Sequence, residues 1–267
     1  MLSLAIIVIG AFLLFQVQPL IAKLILPLFG GGAAIWTACL LFFHAFLLLG
    51  YFYSHCLTKL STVKKQVILH SALLLFSLLC IPIALNAIGI EVLSQGVESG
   101  ANQSPLANIL LLLILTIGLP YFLLSSTGPL VQRWLSYRDE SKVPYKLYAW
   151  SNTASLVALL SYPFIFEPQL TLTSQLDFWS MGYGLFVLLF LGLCWFMYQQ
   201  SQQSIDKPKE ESKATQHEPV KKSALWLWLL LSATGVILLV STTNAMTQNI
   251  PPMPFLWVLP LCIYLTT

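Results

Sequence analysis

The segment LSLAIIVIGAFLLFQVQPLIAKLILPLFGGG, residues 2–32, indicates the class of fold. Its apolar run is longer than the roughly 20 residues with which a helix crosses the hydrocarbon of a bilayer. The glycine triplet at 30–32 can end such a helix in a tight turn. No basic stretch and no cleavage site of small residues accompany the run, so it predicts a retained first transmembrane helix rather than a secretory signal.

Similar apolar runs recur along the whole chain. Of its 267 residues, 57% are hydrophobic and 9% are charged, whereas soluble domains carry roughly 25% charged residues. This composition predicts an all-α fold, a polytopic helical membrane bundle with about seven to eight transmembrane helices. Membrane lipid is therefore an expected partner. Nucleic acid is not, because lysine and arginine do not cluster as a nucleic-acid footprint requires.

The distribution of polar residues predicts three parts. Residues 1–198 hold six apolar runs, at about 2–28, 33–53, 67–90, 107–134, 147–166 and 176–198, and should form a six-helix membrane bundle. Residues 199–222 are dense in Gln, Ser, Lys and Glu, which predicts a disordered linker. Residues 223–267 should begin a second membrane segment that is cut short, because the last run, 255–265, is shorter than a span. The chain is thus expected to be a piece of a longer polypeptide.

Charged loops predict the orientation in the membrane. All of the 13 lysines and arginines except Lys23 lie after the second, fourth and sixth predicted helices. Basic loops favour the cytoplasmic side. The N-terminus and the 199–222 linker should therefore be cytoplasmic, in a multi-pass protein of the bacterial inner membrane. The loops after helices three and five carry acidic residues and should face outward.

Signatures of soluble enzymes are missing from the sequence. It has no P-loop and no G-x-G-x-x-G after a strand. Its five cysteines are scattered without a CxxC pair, so they predict apolar packing rather than a zinc site or a disulfide framework. We expect no metal site and no cofactor in this chain, and its status as an enzyme stays open, with non-enzymatic roles favoured.

Polar side chains inside the apolar runs are the candidate site. Polar groups within a membrane usually mark interior surfaces, so they predict a cavity that takes water or a polar ligand. The alternative is that Lys23 extends to the headgroups and the others hydrogen-bond between helices. The candidate residues are Gln16, Gln18, Lys23, His44, Tyr51, Ser125, Ser126, Thr127, Tyr148, Asn152 and Ser155.

Four blocks carry a resemblance to a known family. They are QPLIAKLILPLFGGGAAIWTACLLFFHAFLLLGYFYSH (18–55), GLPYFLLSSTGPLVQRW (118–134), PYKLYAWSNTASLVALLSYPFIFEP (144–168) and TNAMTQNIPPMPFLWVLPLCIYL (243–265). In this order they resemble the N-terminal membrane region of bacterial fused integral-membrane spermidine synthase-like proteins, some of which are named after major facilitator transporters. In that family a soluble domain similar to spermidine synthase follows the membrane region.

The resemblance implies a membrane domain that anchors, and could feed, a cytoplasmic aminopropyltransferase-like domain that this chain does not contain. One alternative is a transporter-like module for a small polar or cationic solute, and another is a purely structural assembly module. Aminopropyl transfer needs a bound sulfonium donor and an acidic site beside a nucleotide loop. The chain offers no such combination, so it should not perform that reaction alone.

Overall fold

The computed structural model describes residues 1–29, 33–60, 62–84, 105–136, 145–203, 222–247 and 261–263. Every regular element in these ranges is helical, which confirms the all-α prediction for the described part of the chain. The elements are α1 (Leu2–Phe29), α2 (Ala33–Thr58), α3 (Val63–Ala84), α4 (Pro105–Leu113), a first π-helical turn (Ile114–Gly118), α5 (Leu119–Ser136), α6 (Tyr145–Ser161), a second π-helical turn (Tyr162–Phe166), α7 (Glu167–Gln169), α8 (Leu172–Gln203) and α9 (Lys222–Thr247).

Within the described ranges, five helical stretches are long and apolar enough to cross a membrane, as expected of a membrane protein. They are Leu2–Phe29, Thr37–Thr58, Leu106–Ser136, Leu172–Gln200 and Ser223–Thr243. Helix α3 and the run from α6 to α7 pack beside them in the same bundle. The total of seven to eight spans stays a prediction, as does the division of the chain at residue 198.

Helix α1 lies at the centre of the bundle. It packs along α6, α8 and α5, and buries apolar side chains all around its circumference. A helix that is apolar on every side is suited to such a position, because no face of it needs water. The polar residues Gln16 and Gln18 are buried with it, as is Pro19 inside the helix. The candidate residues Gln16 and Gln18 are therefore enclosed by protein.

The other helices pack in pairs around α1. Helix α2 lies along α5 and α4, and α3 lies along α8 and α5. Helix α9 contacts α2, and the most apolar 18-residue window within Ser223–Thr243 has no buried residue in the described structure. Its leucines and tryptophans, such as Trp228 (54% exposed) and Leu229 (61% exposed), present an apolar surface suited to lipid.

Helices α2 and α5 approach each other closely at Gly50. A Cβ atom at this position would overlap the Oγ of Ser125 and lie 2.9 Å from the carbonyl oxygen of Phe122. One turn further on, the Ser54 hydroxyl donates to the Ser126 carbonyl oxygen at 2.9 Å. Small side chains let membrane helices approach and hydrogen-bond in this way. The contact fixes the α5 hydroxyl residues relative to α2.

Several helix ends differ from the predicted ones. Helix α2 continues past the predicted end at Tyr53 to Thr58, and α3 begins at Val63 rather than 67. Helix α8 runs to Gln203, five residues past its predicted end at 198, because glutamine is a good helix former. Residues 204–221 of the linker lie outside the described residues, as do 255–260 and 264–265 of the last predicted run.

Candidate functional site

A cavity of about 600 Å³ lies between α1, α2, α5 and α6, and we call it the central cavity. Its apolar wall comes mainly from α1, with Ile7, Ala11, Leu14 and Phe15. Its polar wall comes from α2, α5 and α6. That wall includes six of the candidate residues: Tyr51, Ser125, Thr127, Tyr148, Asn152 and Ser155. Side chains from three separate helices, chosen only because they are polar within apolar sequence, thus meet in one space.

Hydrogen bonds within the helices determine what the hydroxyls of the central cavity can do. Ser125, Thr127 and Ser155 each donate to a carbonyl three or four residues earlier, at 2.8, 3.1 and 2.9 Å. Each hydroxyl oxygen keeps lone pairs that can accept a hydrogen bond. Asn152 and Gln132 add amide groups, which both donate and accept. The wall can therefore solvate a polar molecule without carrying a charge itself.

The central cavity is open where the tyrosines lie. Tyr51 is 48% exposed and Tyr148 is 54% exposed, whereas Ser125, Thr127 and Ser155 are buried. The polar residues of α6 thus run from the exposed side of the cavity, at Tyr148, to its interior, at Ser155.

A second cavity of about 450 Å³ adjoins the first at the ends of α2 and α5, and we call it the basic vestibule. The two cavities share Tyr51 and Pro129 in their linings. The vestibule adds the basic side chains His55, Lys59 and Arg133. The central cavity therefore lies next to the end of the bundle that the charge pattern predicts to be cytoplasmic.

A third cavity of about 130 Å³, the inner pocket, lies on the other side of Phe15 and Leu47, which line both it and the central cavity. Its polar groups come from Gln18, His44 and Tyr121. The Gln18 amide nitrogen donates to the Tyr121 hydroxyl oxygen at 3.1 Å. His44 Nδ1 lies 2.7 Å from the Leu40 carbonyl oxygen of its own helix. The amide of Gln18 thus joins α1 to α5.

Three candidates lie apart from these cavities. Gln16 and Ser126 are buried but are not among the lining residues of the three cavities. Ser126 donates to the Leu123 carbonyl at 2.8 Å, in the α2–α5 contact. Lys23 forms an ion pair with Glu167, 2.8 Å between Nζ and Oε1, with side chains 36% and 27% exposed. Lys23 therefore has a carboxylate partner within the protein. The prediction that its side chain extends to the lipid headgroups did not include this partner.

The sequence reasoning missed a buried polar seam along α3. His70 is fully buried, and its Nδ1 lies 3.1 Å from the Tyr53 hydroxyl. On the same helix, Gln66 accepts from the Trp134 indole at 3.0 Å, and Ser77 lies 2.7 Å from the Tyr183 hydroxyl. Positions 66, 70 and 77 share one helical face. The spacing of these polar residues along one face of a mostly apolar helix is the sequence feature that could have identified them.

Among the described residues, no group of three or more His, Cys, Asp or Glu side chains could hold a metal ion. No family model matches the chain, and its comparison with curated proteins and with solved structures finds no match.

Proposed function

We propose that this chain is an integral membrane domain that binds a small polar solute in its central cavity, as a transporter-like module would. The observation that carries the proposal is the convergence of Tyr51, Ser125, Asn152 and Ser155, from three helices, on a cavity of about 600 Å³. Ligand cavities commonly measure about 300–1,000 Å³ and combine apolar walls with a few polar groups. A bundle that packed only for stability would gain nothing from leaving such a space open, because close packing is the rule in protein interiors.

The charge of the lining favours a neutral or anionic solute over a cationic one. Neither the central cavity nor the basic vestibule has an Asp or Glu among its described lining residues. Lys59 lines the vestibule, where its charge would attract anions and repel cations. A buried cation would lack the partner charge that it needs. The solute is therefore the small polar molecule that the sequence predicts as one alternative, but we expect it to be neutral or anionic rather than cationic.

The family resemblance supports a second role in the same proposal. In this role the domain is the bacterial inner-membrane anchor of a cytoplasmic spermidine synthase-like domain. The observation that favours it is the position of the basic vestibule at the end that the charge rule assigns to the cytoplasm. A solute released there would emerge where such a domain would be. Anchoring and solute binding are compatible.

Cysteine accessibility tests whether water and solutes reach the central cavity. In a variant with the five native cysteines replaced by alanine, Ser155→Cys is compared with Val157→Cys in membrane fragments open on both sides. Ser155 lines the cavity, whereas Val157, two residues along α6, is 52% exposed outside it. Sulfonatoethyl methanethiosulfonate should modify Ser155→Cys and leave Val157→Cys unmodified, because a charged reagent does not enter lipid.

The charge of the solute is tested with the same variants. The cationic reagent trimethylammonioethyl methanethiosulfonate is compared with the anionic sulfonatoethyl reagent. For each reagent, the modification rate of Ser155→Cys is divided by that of Thr171→Cys, a position that is exposed. The normalised rate at Ser155→Cys should be higher for the anion. Equal modification of Ser155→Cys and Val157→Cys would refute solute entry, and a higher normalised rate for the cation would refute the assigned charge.

A further inference from the structure

The inner pocket combines three polar side chains with apolar walls. Gln18, His44 and Tyr121 come from α1, α2 and α5. The remaining walls are apolar, from Phe15, Leu40, Phe43, Leu47, Val236, Leu239 and Leu261. No charged residue lines the pocket in the described structure. A polar group held among such walls is costly to bury unless it has a hydrogen-bond partner.

Donors and acceptors in the inner pocket can be assigned from the contacts. A carbonyl oxygen only accepts, so His44 Nδ1, 2.7 Å from the Leu40 carbonyl, carries the ring proton. In the neutral ring Nε2 is then an acceptor. The Tyr121 hydroxyl oxygen accepts from Gln18, so its own proton stays available for donation. The pocket therefore offers one hydroxyl donor and one ring-nitrogen acceptor.

The size of the inner pocket limits what it can hold. Its volume of about 130 Å³ is close to the roughly 150 Å³ of an engineered apolar cavity that binds benzene. An ion is disfavoured, because the apolar walls would leave its charge unpaired. The space and the walls thus fit a neutral molecule about as large as one six-membered ring.

We infer that the inner pocket is a binding site for a small neutral molecule that carries a hydroxyl group on an apolar body. The hydroxyl accepts a hydrogen bond from Tyr121 and donates one to His44 Nε2, while the body packs on Phe15 and Phe43. Phe15 and Leu47 line both this pocket and the central cavity, so their side chains lie between the two spaces. The site differs from the central cavity in its polar lining residues and in its ligand class, and it does not depend on the proposed function.

Binding of phenol and benzene tests the inference. The full chain in detergent is dialysed to equilibrium against each radiolabelled compound, with protein-free micelles measured in parallel. Wild-type protein should retain phenol saturably above the micelles. Tyr121→Phe should weaken phenol binding about three- to tenfold, the worth of one hydrogen bond, and leave benzene binding unchanged. Tyr183→Phe is the matched control, since it removes another buried hydroxyl, on α8, that is bonded to Ser77.

A second variant guards against misfolding of Tyr121→Phe. His44→Leu removes the acceptor at similar volume, and it should also weaken phenol binding without weakening benzene binding. Retention of phenol equal to that of protein-free micelles would mean that the pocket holds water only, and would overturn the inference. Affinity for phenol that stays the same in both variants, or that falls together with benzene affinity in both, would overturn the role of the hydroxyl group.

Discussion

Gln66 on α3 shows how single polar residues hold this bundle together. It is 2% exposed, its oxygen accepts from the indole of Trp134, and its amide nitrogen donates to the Leu60 carbonyl at 3.1 Å. One side chain thus joins α3 to α5 and to the end of the α2 segment. In an apolar interior such a residue is stabilising only while each of its groups has a partner.

Replacement of Gln66 should therefore be costly. Gln66→Leu leaves the buried Trp134 N–H without an acceptor, so we expect a loss of about 1–3 kcal/mol. The measurement is thermal unfolding in detergent, followed by loss of the monodisperse chromatographic peak. Trp134→Phe in a double-mutant cycle isolates the pair, and the double variant should lose less than the sum of the single losses. Additive losses would mean that the indole bond contributes nothing.

At the residue scale, the sequence identifies the buried polar residues better than it identifies their hydrogen-bond partners. Polar character in an apolar run marks Gln18, and its amide does turn toward a neighbouring helix. Its partner Tyr121 lies 103 positions away. Spacing along the chain says nothing about which helices become neighbours. Tyr121 also looks like an ordinary aromatic residue of a membrane helix, so nothing in the sequence marked it.

Between elements, the close contact of α2 and α5 makes Gly50 a sensitive position. Gly50→Ala would force its new methyl group against Ser125 and the backbone of Phe122. We expect a loss of about 1–3 kcal/mol from overpacking, visible as a lower Tm in detergent. Gly192→Ala on α8 is the matched control, because a Cβ there meets no atom within 4 Å. Equal effects of the two substitutions would contradict a specific α2–α5 contact.

The ion pair of Lys23 and Glu167 ties α1 to α7 at the end of the bundle opposite the basic vestibule. Its side chains are about one-third exposed, so a stabilisation of about 0.5–1 kcal/mol is expected. Lys23→Glu should lower the Tm, and the reversed pair Lys23→Glu with Glu167→Lys should restore it. If the double variant melts no higher than Lys23→Glu alone, the two groups do not interact.

The apolar runs predicted the helices of the bundle well but their ends poorly. Length and hydrophobicity mark the part of a helix that lipid requires, as in α1 and in the α4–α5 run. They do not mark where helical hydrogen bonding stops. Helix α2 extends five residues past its predicted end, and α8 extends equally far into glutamine-rich sequence. Polar residues are no obstacle to a helix once it has left the membrane, so composition sets no limit there.

For the whole molecule, three adjoining cavities follow one another along α2, from the basic vestibule through the central cavity to the inner pocket. Shared lining residues connect each to the next: Tyr51 and Pro129 at one boundary, and Phe15 and Leu47 at the other. Space that runs from the basic end of the bundle to the polar residues of its interior is what the proposed binding of a solute requires.

Composition predicted a helical membrane protein, whereas the placement of helices around α1 had to come from the structure. Most helices here are apolar all round, so no polar face shows which side meets a neighbour. For the same reason the sequence could group candidate residues by helix, as with Tyr148, Asn152 and Ser155 on α6. It could not show that those residues face Tyr51 and Thr127 across one cavity.

The most direct test of the central claim is the side of the membrane from which the central cavity can be reached. Ser155→Cys, in the background without native cysteines, is treated with an impermeant sulfonated reagent in sealed vesicles of either orientation. Thr62→Cys, between α2 and α3, and Thr171→Cys, between α7 and α8, mark the two sides. Ser155→Cys should react only from the side on which Thr62→Cys reacts. Reaction from the Thr171→Cys side, or from neither side, would contradict a polar cavity open to the basic end of the bundle.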